Sequence, residues 1–227
     1  MIDPLDTVGI EYSGYRNSVA TTRNPGSGRR RRRTDESAPR SQRRPTRSQT
    51  REHVLAAAAQ VFSQHAYAGA TLDQIAAAAG LTKGAIYSSF GGKEDLFFEV
   101  LRSRTRERVL AAREVLGNAP TFDGAEVGRL LERFTSDDPT WHLALIQFWA
   151  SVTAAPGSGR LAELQRMRSE LRADIESMLT SGGVPADRAR WMSVAILALS
   201  NGLAIERAID PGATEGVFAA ALETWTE

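Results

Sequence analysis

Residues 76–90 read AAAAGLTKGAIYSSF, and this stretch decides how the fold is interpreted. Its four alanines supply no large apolar side chain, so one continuous helix here would have little to bury. Ala76, Gly80 and Ile86 instead have the spacing of a helix-turn-helix, in which a small residue lets two helices approach, glycine makes the turn and an aliphatic side chain anchors the second helix. Glycine suits a helix C-terminus that needs positive φ. The stretch therefore predicts two short helices set at an angle.

Capping patterns set the limits of the helices around this turn. Thr71 is followed three residues later by Gln74, which is a capping box and predicts a helix start. Thr82 can cap a following helix from Lys83 to about Ser89. An earlier helix is predicted from near Thr46, with one apolar face formed by Val54, Leu55, Ala58, Val61 and Phe62.

The rest of the chain also has helical periodicity. A fourth helix begins at Lys93 and is predicted to reach about Arg113. Breaks rich in Pro, Gly, Asn and Asp separate the later helices, and β-branched alternation is absent. The chain is therefore predicted to be all-α, with further helices near 123–135, 139–154, 159–181, 186–208 and 213–225.

Composition narrows the class of protein. The 227 residues contain no cysteine, which excludes disulfides and thiolate metal sites, and the three histidines are scattered at 53, 65 and 142. No metal or cofactor is therefore expected. No apolar run is expected to approach the roughly 18–20 residues that span a bilayer, and the N-terminus lacks the apolar stretch of a signal peptide. We expect a soluble, cytoplasmic protein that does not bind a membrane.

Charge is unevenly distributed along the chain. Residues 1–50 contain 11 arginines and five acidic residues, whereas residues 109–227 contain ten basic and 16 acidic residues. A polyanionic partner is therefore expected to meet the N-terminal part. Residues 1–45, which include RRRRR at 29–33, are predicted to be a disordered tail. This tail is either inert, a source of non-specific phosphate affinity, or the product of a wrongly assigned start site.

The start of the second helix of the motif carries side chains suited to DNA. A helix in the major groove contacts bases through its N-terminal residues. Gly84 and Ala85 permit close approach, and the methyl group of Ala85 could meet thymine. Lys83 is either a base contact or a solvated charge, and Tyr87 is either a phosphate contact or a core residue. Phe90 is expected to be core.

Residues 50–62, TREHVLAAAAQVF, and 71–101, TLDQIAAAAGLTKGAIYSSFGGKEDLFFEVL, together resemble the DNA-binding domain of TetR-family transcriptional repressors. The resemblance implies a dimer on a pseudo-palindromic double-stranded DNA operator, released when a small-molecule effector enters the C-terminal domain. It divides the chain into a helix-turn-helix domain at 46–92, with the start of a linker helix to 101, and an effector-binding and dimerisation domain at 102–227. The candidate DNA contacts are Thr71, Thr82, Lys83, Gly84, Ala85, Tyr87, Ser88 and Lys93.

Two residues depart from the family pattern. Ala66 stands after the first helix where the family usually has glycine, so either the backbone is strained there or the turn differs. Ser89 stands where histidine is common, which removes one possible phosphate donor.

The segment TWHLALIQFWASV at 140–152 has two interpretations. Its apolar residues at helical spacing are first of all ordinary core. The alternative is an effector pocket, with His142 or Gln147 orienting the ligand. A catalytic role for His142 is not expected, because no nucleophile and carboxylate can be placed beside it. The candidate pocket residues are Trp141, His142, Leu145, Gln147, Phe148, Trp149, Met167 and Trp191, and Met192 could also contribute.

The last two helices, near 186–225, are dominated by small and aliphatic residues. They form either an internal core or, as the resemblance favours, a four-helix bundle with the same helices of a second copy. The recurring positions are Val194, Leu197, Ala198, Asn201, Ala204, Ile205 and Ala208, followed by Val217, Ala220 and Ala221.

The sequence therefore predicts a ligand-releasable repressor. A non-specific DNA-compacting protein led by the arginine tail is the first alternative, and an α-helical enzyme is the last, since no catalytic motif is recognisable. The sequence leaves open the effector, the operator, the regulated genes and the choice between repressor and activator.

Overall fold

The computed structural model describes residues 46–117, 123–155, 157 and 159–226. The predicted tail at 1–45 lies outside these residues. The described part is all helical, which confirms the predicted fold class, and residues Arg44–Glu227 form one compact unit. The helices are α1 Arg47–Gly69, α2 Leu72–Ala78, α3 Lys83–Phe90, α4 Lys93–Gly117, α5 Gly124–Ser136, α6 Pro139–Ala154, α7 Arg160–Ser181, α8 Ala186–Ile209 and α9 Val217–Thr226, with a 3-10 helix at Pro211–Thr214.

Side-chain caps fix the starts of the first three helices. Thr46 and Thr71 each accept a hydrogen bond from the amide three residues later, and Gln49 and Gln74 bond back, so both capping boxes are complete. The Thr82 hydroxyl accepts from the Ala85 amide at 3.2 Å. Short helices depend on such caps because their terminal amides have no partner within the helix. The two predicted caps, at Thr71 and Thr82, are confirmed.

The last predicted helix, at 213–225, begins too early. A 3-10 helix occupies Pro211–Thr214, where the Asp210 carboxylate accepts from the Gly212 amide at 3.1 Å. Gly216, with φ of 73°, then separates this turn from α9. The prediction merged the 3-10 turn with the α-helix, because both kinds of helix place apolar residues at similar spacing.

Ala66 interrupts α1 four residues before its C-cap. Its φ of 54° and ψ of −177° lie in a region that is essentially restricted to glycine, and the helix kinks there. The kink turns the chain so that Tyr67 packs against the core. The departure from the family pattern at this position therefore places an alanine in a strained backbone conformation.

Replacing Ala66 with glycine is expected to stabilise the protein. Glycine removes a backbone penalty of about 1–3 kcal/mol from the folded state. Its greater conformational freedom in the unfolded state costs roughly 0.5–1 kcal/mol of that gain. The expected net gain is about 1 kcal/mol, which corresponds to about 2–4 °C in Tm for a chain of this size. Thermal unfolding followed by circular dichroism measures it. Ala68→Gly, at a position without positive φ, is the control and should lower Tm.

An aromatic cluster joins α1, α4 and α6. The Phe97 ring lies 4.8 Å from Phe62, 5.0 Å from Tyr67, 5.1 Å from Trp141 and 4.5 Å from Phe148, measured between ring centroids. Phe62, Phe97 and Phe148 have no exposed surface. This cluster holds α1, which precedes the helix-turn-helix, against α4 and α6.

Two glycines allow α5 and α9 to pack with their backbones nearly in contact. A Cβ atom at Gly128 would lie 2.4 Å from the Ala219 Cα, and one at Gly124 would lie 2.6 Å from the Leu222 carbonyl oxygen. Any side chain at these positions would separate the helices. The pair fixes α9 on the second core cluster, which is centred on Met192, Phe218 and Leu222.

Helix α8 is more apolar than the sequence analysis expected. An 18-residue window within Ala186–Ile209 has a mean hydropathy of 1.4, and 28% of this window is buried. By length and composition alone, the helix could therefore span a membrane. The expectation that no segment would reach this level is wrong. The same composition is typical of a helix that packs on two sides, because apolar residues then surround its axis.

Candidate nucleic-acid interface and effector cavity

Helix α3 separates an anchoring face from an exposed face. Ile86 has no exposed surface and Phe90 is 7% exposed, whereas Tyr87 is 49% exposed. Phe90 is thus core as expected, and Tyr87 is not. The remaining candidate contacts on this element, Thr82, Lys83, Gly84 and Ser88, are exposed, and Ala85 is half-buried.

The turn before α3 is built by Gly80. Its φ is 62°, and the Leu81 amide donates to the Ala76 carbonyl at 2.9 Å. Ala76 is buried at 4% exposure, so its small side chain lies where α2 meets its neighbours. A larger residue at 76 would push α3 outward, which explains why a small residue is required at this position, whereas Ala77 and Ala78 are exposed.

Lys83 is held by an acidic residue of α2. Its ammonium nitrogen lies 2.7 Å from the Asp73 carboxylate, and both side chains are largely exposed. The carboxylate hydrogen bond raises the pKa of Lys83, so the charge is secure at neutral pH. Exposed pairs of this kind contribute little to stability. Asp73 therefore positions Lys83 while leaving it able to exchange partners.

Lys93 at the start of α4 already has contacts within the protein. Its ammonium donates to the Ala68 carbonyl at 3.3 Å and lies 4.6 Å from the centroid of the Tyr67 ring. Partial burial lowers the pKa of Lys93. Lys93 thus packs against the end of the kinked helix α1. Thr71, the exposed N-cap residue of α2, follows the end of α1 by two residues.

A cavity of about 150 Å³ lies among the C-terminal helices and α4. Five of the eight predicted pocket residues line it. Its wall is mostly apolar and is supplied by α4, α5, α6, α7 and α8. The five are Trp141, His142, Leu145, Trp149 and Met167.

The other predicted pocket residues lie elsewhere. Gln147 is exposed and accepts a hydrogen bond from the Ala68 amide at 2.9 Å. Phe148 packs within the aromatic cluster around Phe97. Trp191 is 46% exposed and packs edge-on against Trp225 at 5.5 Å. Met192 is fully buried in the second core cluster. Helical spacing alone could not separate the cavity side of a helix from its other sides.

His142 is neutral in this cavity at pH 7. Burial, and then the charge of Arg108, lower its pKa to about 4. Its Nδ1 lies 3.3 Å from the Asp138 carbonyl oxygen. A neutral imidazole can exchange a hydrogen bond with a ligand but supplies no charge.

Three arginines that sequence reasoning missed line the same cavity: Arg104, Arg108 and Arg168. Arg104 pairs with Asp138 at 2.8 Å and stacks on Trp141 at 4.3 Å. Asp138 also accepts from Ser63 of α1 and from the Trp141 amide at 2.9 Å. Arg104 and Arg108 are four residues apart on α4 and therefore lie on the same face of the helix. This spacing is the feature of the sequence that could have indicated their shared place on the cavity wall.

Helix α8 divides its apolar residues between two faces. Leu197 and Asn201 line the cavity and Ala204 is fully buried, so these three do not belong to the predicted outer face. An exposed stripe remains at three- and four-residue spacing, and we call it the α8 stripe. It consists of Trp191, Val194, Ala198, Gly202, Ile205 and Ile209.

The described residues contain no group of three His, Cys, Asp or Glu side chains placed to hold a metal ion. The cavity wall offers arginine, indole, imidazole, hydroxyl, amide and apolar groups.

Comparisons with known proteins agree with this geometry. The family of bacterial regulatory proteins called tetR matches residues 54–100. The HTH-type transcriptional regulator AcrR of Shigella flexneri is 48% identical over 52 residues, covering 23% of this chain and 24% of that protein. The HTH-type transcriptional repressor AcnR of Corynebacterium glutamicum is 41% identical over 59 residues, covering 26% and 30%. The chain spans well under two thirds of the length of these relatives.

Solved structures share the fold over a larger part of the chain. A transcriptional regulator of Streptomyces coelicolor, SCO7518, superposes with a TM-score of 0.60 at 22% identity, covering 78% of this chain and 98% of that one. A regulator from Pseudomonas aeruginosa superposes with a TM-score of 0.57 at 24% identity, covering 80% and 90%. The relatives are named as regulators and not as enzymes. The helix-turn-helix geometry and these matches identify residues 54–100 as the segment that this chain shares with the tetR family of bacterial regulatory proteins.

Proposed function

We propose that this chain is a transcriptional repressor that binds a pseudo-palindromic operator as a dimer and is released by a small molecule in the cavity. One observation carries the proposal. Ile86 and Phe90 anchor α3 while Thr82, Lys83, Gly84 and Tyr87 remain exposed on one side. A helix held in this way can enter the major groove with its N-terminal residues at the bases. Such a repressor acts in the bacterial cytoplasm and is associated with the nucleoid when bound.

Roles follow from position on α3 and its neighbours. Thr82, Lys83, Gly84 and Ala85 lie at the N-terminal end, where base contacts are made. Tyr87, Ser88 and Thr71 carry hydroxyls suited to phosphate. Lys93 contributes a positive charge near the end of α1, where its ammonium nitrogen lies 3.3 Å from the Ala68 carbonyl oxygen.

The α8 stripe supports the dimer. Trp191, Val194, Ile205 and Ile209 are 46%, 54%, 38% and 75% exposed in the single chain. Large contiguous apolar patches on a soluble protein mark interaction surfaces. Gly202 has no atom within 4 Å of the place where its Cβ would stand, which leaves room for a second helix to approach closely. Two-fold pairing through this face matches a palindromic site.

The cavity supports ligand release, because α4 lines it and also begins beside α3. Arg104 and Arg108 of α4 face the cavity, and Lys93 stands at the other end of the same helix. A ligand that prefers one orientation of α4 shifts the balance between DNA-competent and incompetent states. A preference of a few kcal/mol is sufficient.

A duplex-binding titration tests the proposal. The full chain is first used to select bound sequences from random duplexes, and affinity for the selected palindrome is then compared with that for a scrambled duplex of equal composition. We expect at least about 1,000-fold tighter binding to the palindrome at physiological salt. Equal affinity would contradict the proposal and favour a non-specific DNA-compacting role for the arginine-rich N-terminus.

Variants separate the proposed base contacts from phosphate contacts. Lys93→Ala and Tyr87→Phe should weaken binding to all duplexes, and Lys93→Ala should reduce the slope of log affinity against log salt by about 0.9 for each lost contact. Lys83→Ala should instead change the ranking of operators differing at the base pairs under α3. Arg106→Ala, an exposed arginine elsewhere on α4, is the control. An unchanged salt slope for Lys93→Ala would exclude its phosphate contact.

A further inference from the structure

The cavity wall has an excess of positive charge. Three arginines line it, and none of the aspartates and glutamates in the described part of the chain does. Arg104 is compensated by Asp138. Neither Arg108 nor Arg168 has a carboxylate within ion-pair distance among the described residues. Charged groups that are removed from water are costly unless they are paired, so this arrangement calls for an anion.

Arg108 is the more buried of the two. Its side chain donates to the Phe134 carbonyl at 2.9 Å and lies 5.6 Å from the Phe134 ring. Burial, reinforced by the charge of Arg104, lowers the pKa of Arg108 to about 10. It remains positively charged at pH 7. The carboxylates of Asp138, Asp137 and Glu107 offset part of this charge, but none of them is within ion-pair distance of Arg108.

Arg168 on α7 lacks any hydrogen-bond acceptor in the described part of the chain. Its guanidinium lies 4.9 Å from the centroid of the Trp149 ring. Burial, and then the neighbouring Arg172, lower the pKa of Arg168. The Trp149 Nε1–H is also buried without a partner among the described residues. Two strong donors thus lie side by side on the cavity wall with no acceptor for their hydrogen bonds among the described residues.

We infer that the cavity binds a compact apolar carboxylate, with its anionic group at Arg168 and Trp149. The carboxylate accepts from the guanidinium, which presents a planar fork matched to two oxygens, and from the indole N–H. Arg108 adds attraction through its charge. The ligand's apolar body packs on the remaining wall, which includes Val109, Leu131, Ile175 and Ile196.

The volume sets the size of this ligand. An apolar cavity of about 150 Å³ holds a benzene-sized molecule, and the present cavity is about as large. A single ring, or an aliphatic chain of similar volume, bearing one carboxylate therefore fits. The role of this ligand as effector rests on the proposed function, but its binding does not.

Phenylacetate and its neutral isostere phenylacetamide are suitable probes. Calorimetry on the full chain without DNA measures both. Tryptophan fluorescence, to which Trp141 and Trp149 of the cavity wall contribute, reports occupancy of the cavity. We expect the acid to bind at least 10-fold more tightly than the amide. Benzoate and 4-phenylbutyrate, each compared with its own amide, extend the test in size. If no acid exceeds its amide, the inference is overturned.

Matched variants locate the anionic group. Arg168→Met should abolish the preference for acid over amide, whereas Arg168→Lys should retain part of it because the charge remains. Arg166→Met, two residues away and exposed on the same helix, should leave the preference unchanged. Melting temperatures show that each variant is folded. An Arg168→Met variant that still prefers the acid, or an Arg166→Met variant that loses the preference equally, would overturn the assignment.

A second assay separates this inference from the proposed function. The acid is added to the complex of protein and selected operator. Arg168-dependent binding that leaves the operator occupied would contradict ligand release while the ligand class stands. Release by other compounds, with acids and amides binding equally, would overturn the ligand class and leave the repressor proposal intact.

Discussion

A chain carrying both Val194→Glu and Ile205→Glu is expected to be monomeric and to bind its operator at least 100-fold more weakly. Both side chains lie on the α8 stripe, three turns apart, and are 54% and 38% exposed in the single chain. In the proposed dimer each glutamate would be buried against the partner helix beside the same substitution. Removing charges from water without a partner costs several kcal/mol, and each 1.4 kcal/mol corresponds to a tenfold change in affinity.

The substitutions should leave the fold intact, because both positions face solvent in the single chain. Light scattering coupled to size exclusion measures the mass, and the duplex titration measures the affinity. Leu110→Glu is the control, since Leu110 of α4 is 57% exposed and lies off the stripe. A double variant that remains dimeric would show that the subunits pair elsewhere.

Phe97→Ala should destabilise the protein by about 3–5 kcal/mol, which is the usual cost of deleting a buried phenylalanine ring. The ring has no exposed surface and contacts four other aromatic rings of α1 and α6 within 5.1 Å. Edge-to-face and offset ring pairs add to the loss of buried area. For a domain of this size, Tm should fall by about 6–20 °C.

Denaturant unfolding measures the free energy, and Leu110→Ala on the same helix is the control because its side chain is exposed. The Phe97→Ala variant should also lose operator affinity in excess of its unfolded fraction, since the cluster holds α1 in place. A loss below about 1 kcal/mol would mean that the cluster is not the main contact between α1 and the C-terminal helices.

Local chemistry made the DNA-binding segment predictable. The caps at Thr71 and Thr82, the turn at Gly80 and the anchor at Ile86 each depend on residues within a few positions of one another. Strain at Ala66 was one of the two outcomes that the family resemblance indicated, because a glycine in the family pattern suggests positive φ at that position.

The cavity was less predictable because its wall comes from distant segments. Arg108 and Arg168 are 60 residues apart in sequence, and neither has a local partner that marks it as buried. Helix α8 is apolar on more than one side, so periodicity could not tell that Leu197 and Ala204 face inward while Val194 and Ile205 face outward. Only the packing of the other helices decides this.

The length of α4 has a mechanical consequence. Lys93 and Arg108 lie 15 residues apart on this helix, which corresponds to about 22 Å of rigid rod at 1.5 Å per residue. A tilt of only about 5° at the cavity displaces the Lys93 end by roughly 2 Å over that length. In the proposed two-fold dimer the displacements would be opposed, so the separation of the two α3 helices would change by about 4 Å against a half-site spacing of about 34 Å. Under the proposed function, a contact change smaller than one side chain would thereby be amplified into a misfit with the pitch of the double helix.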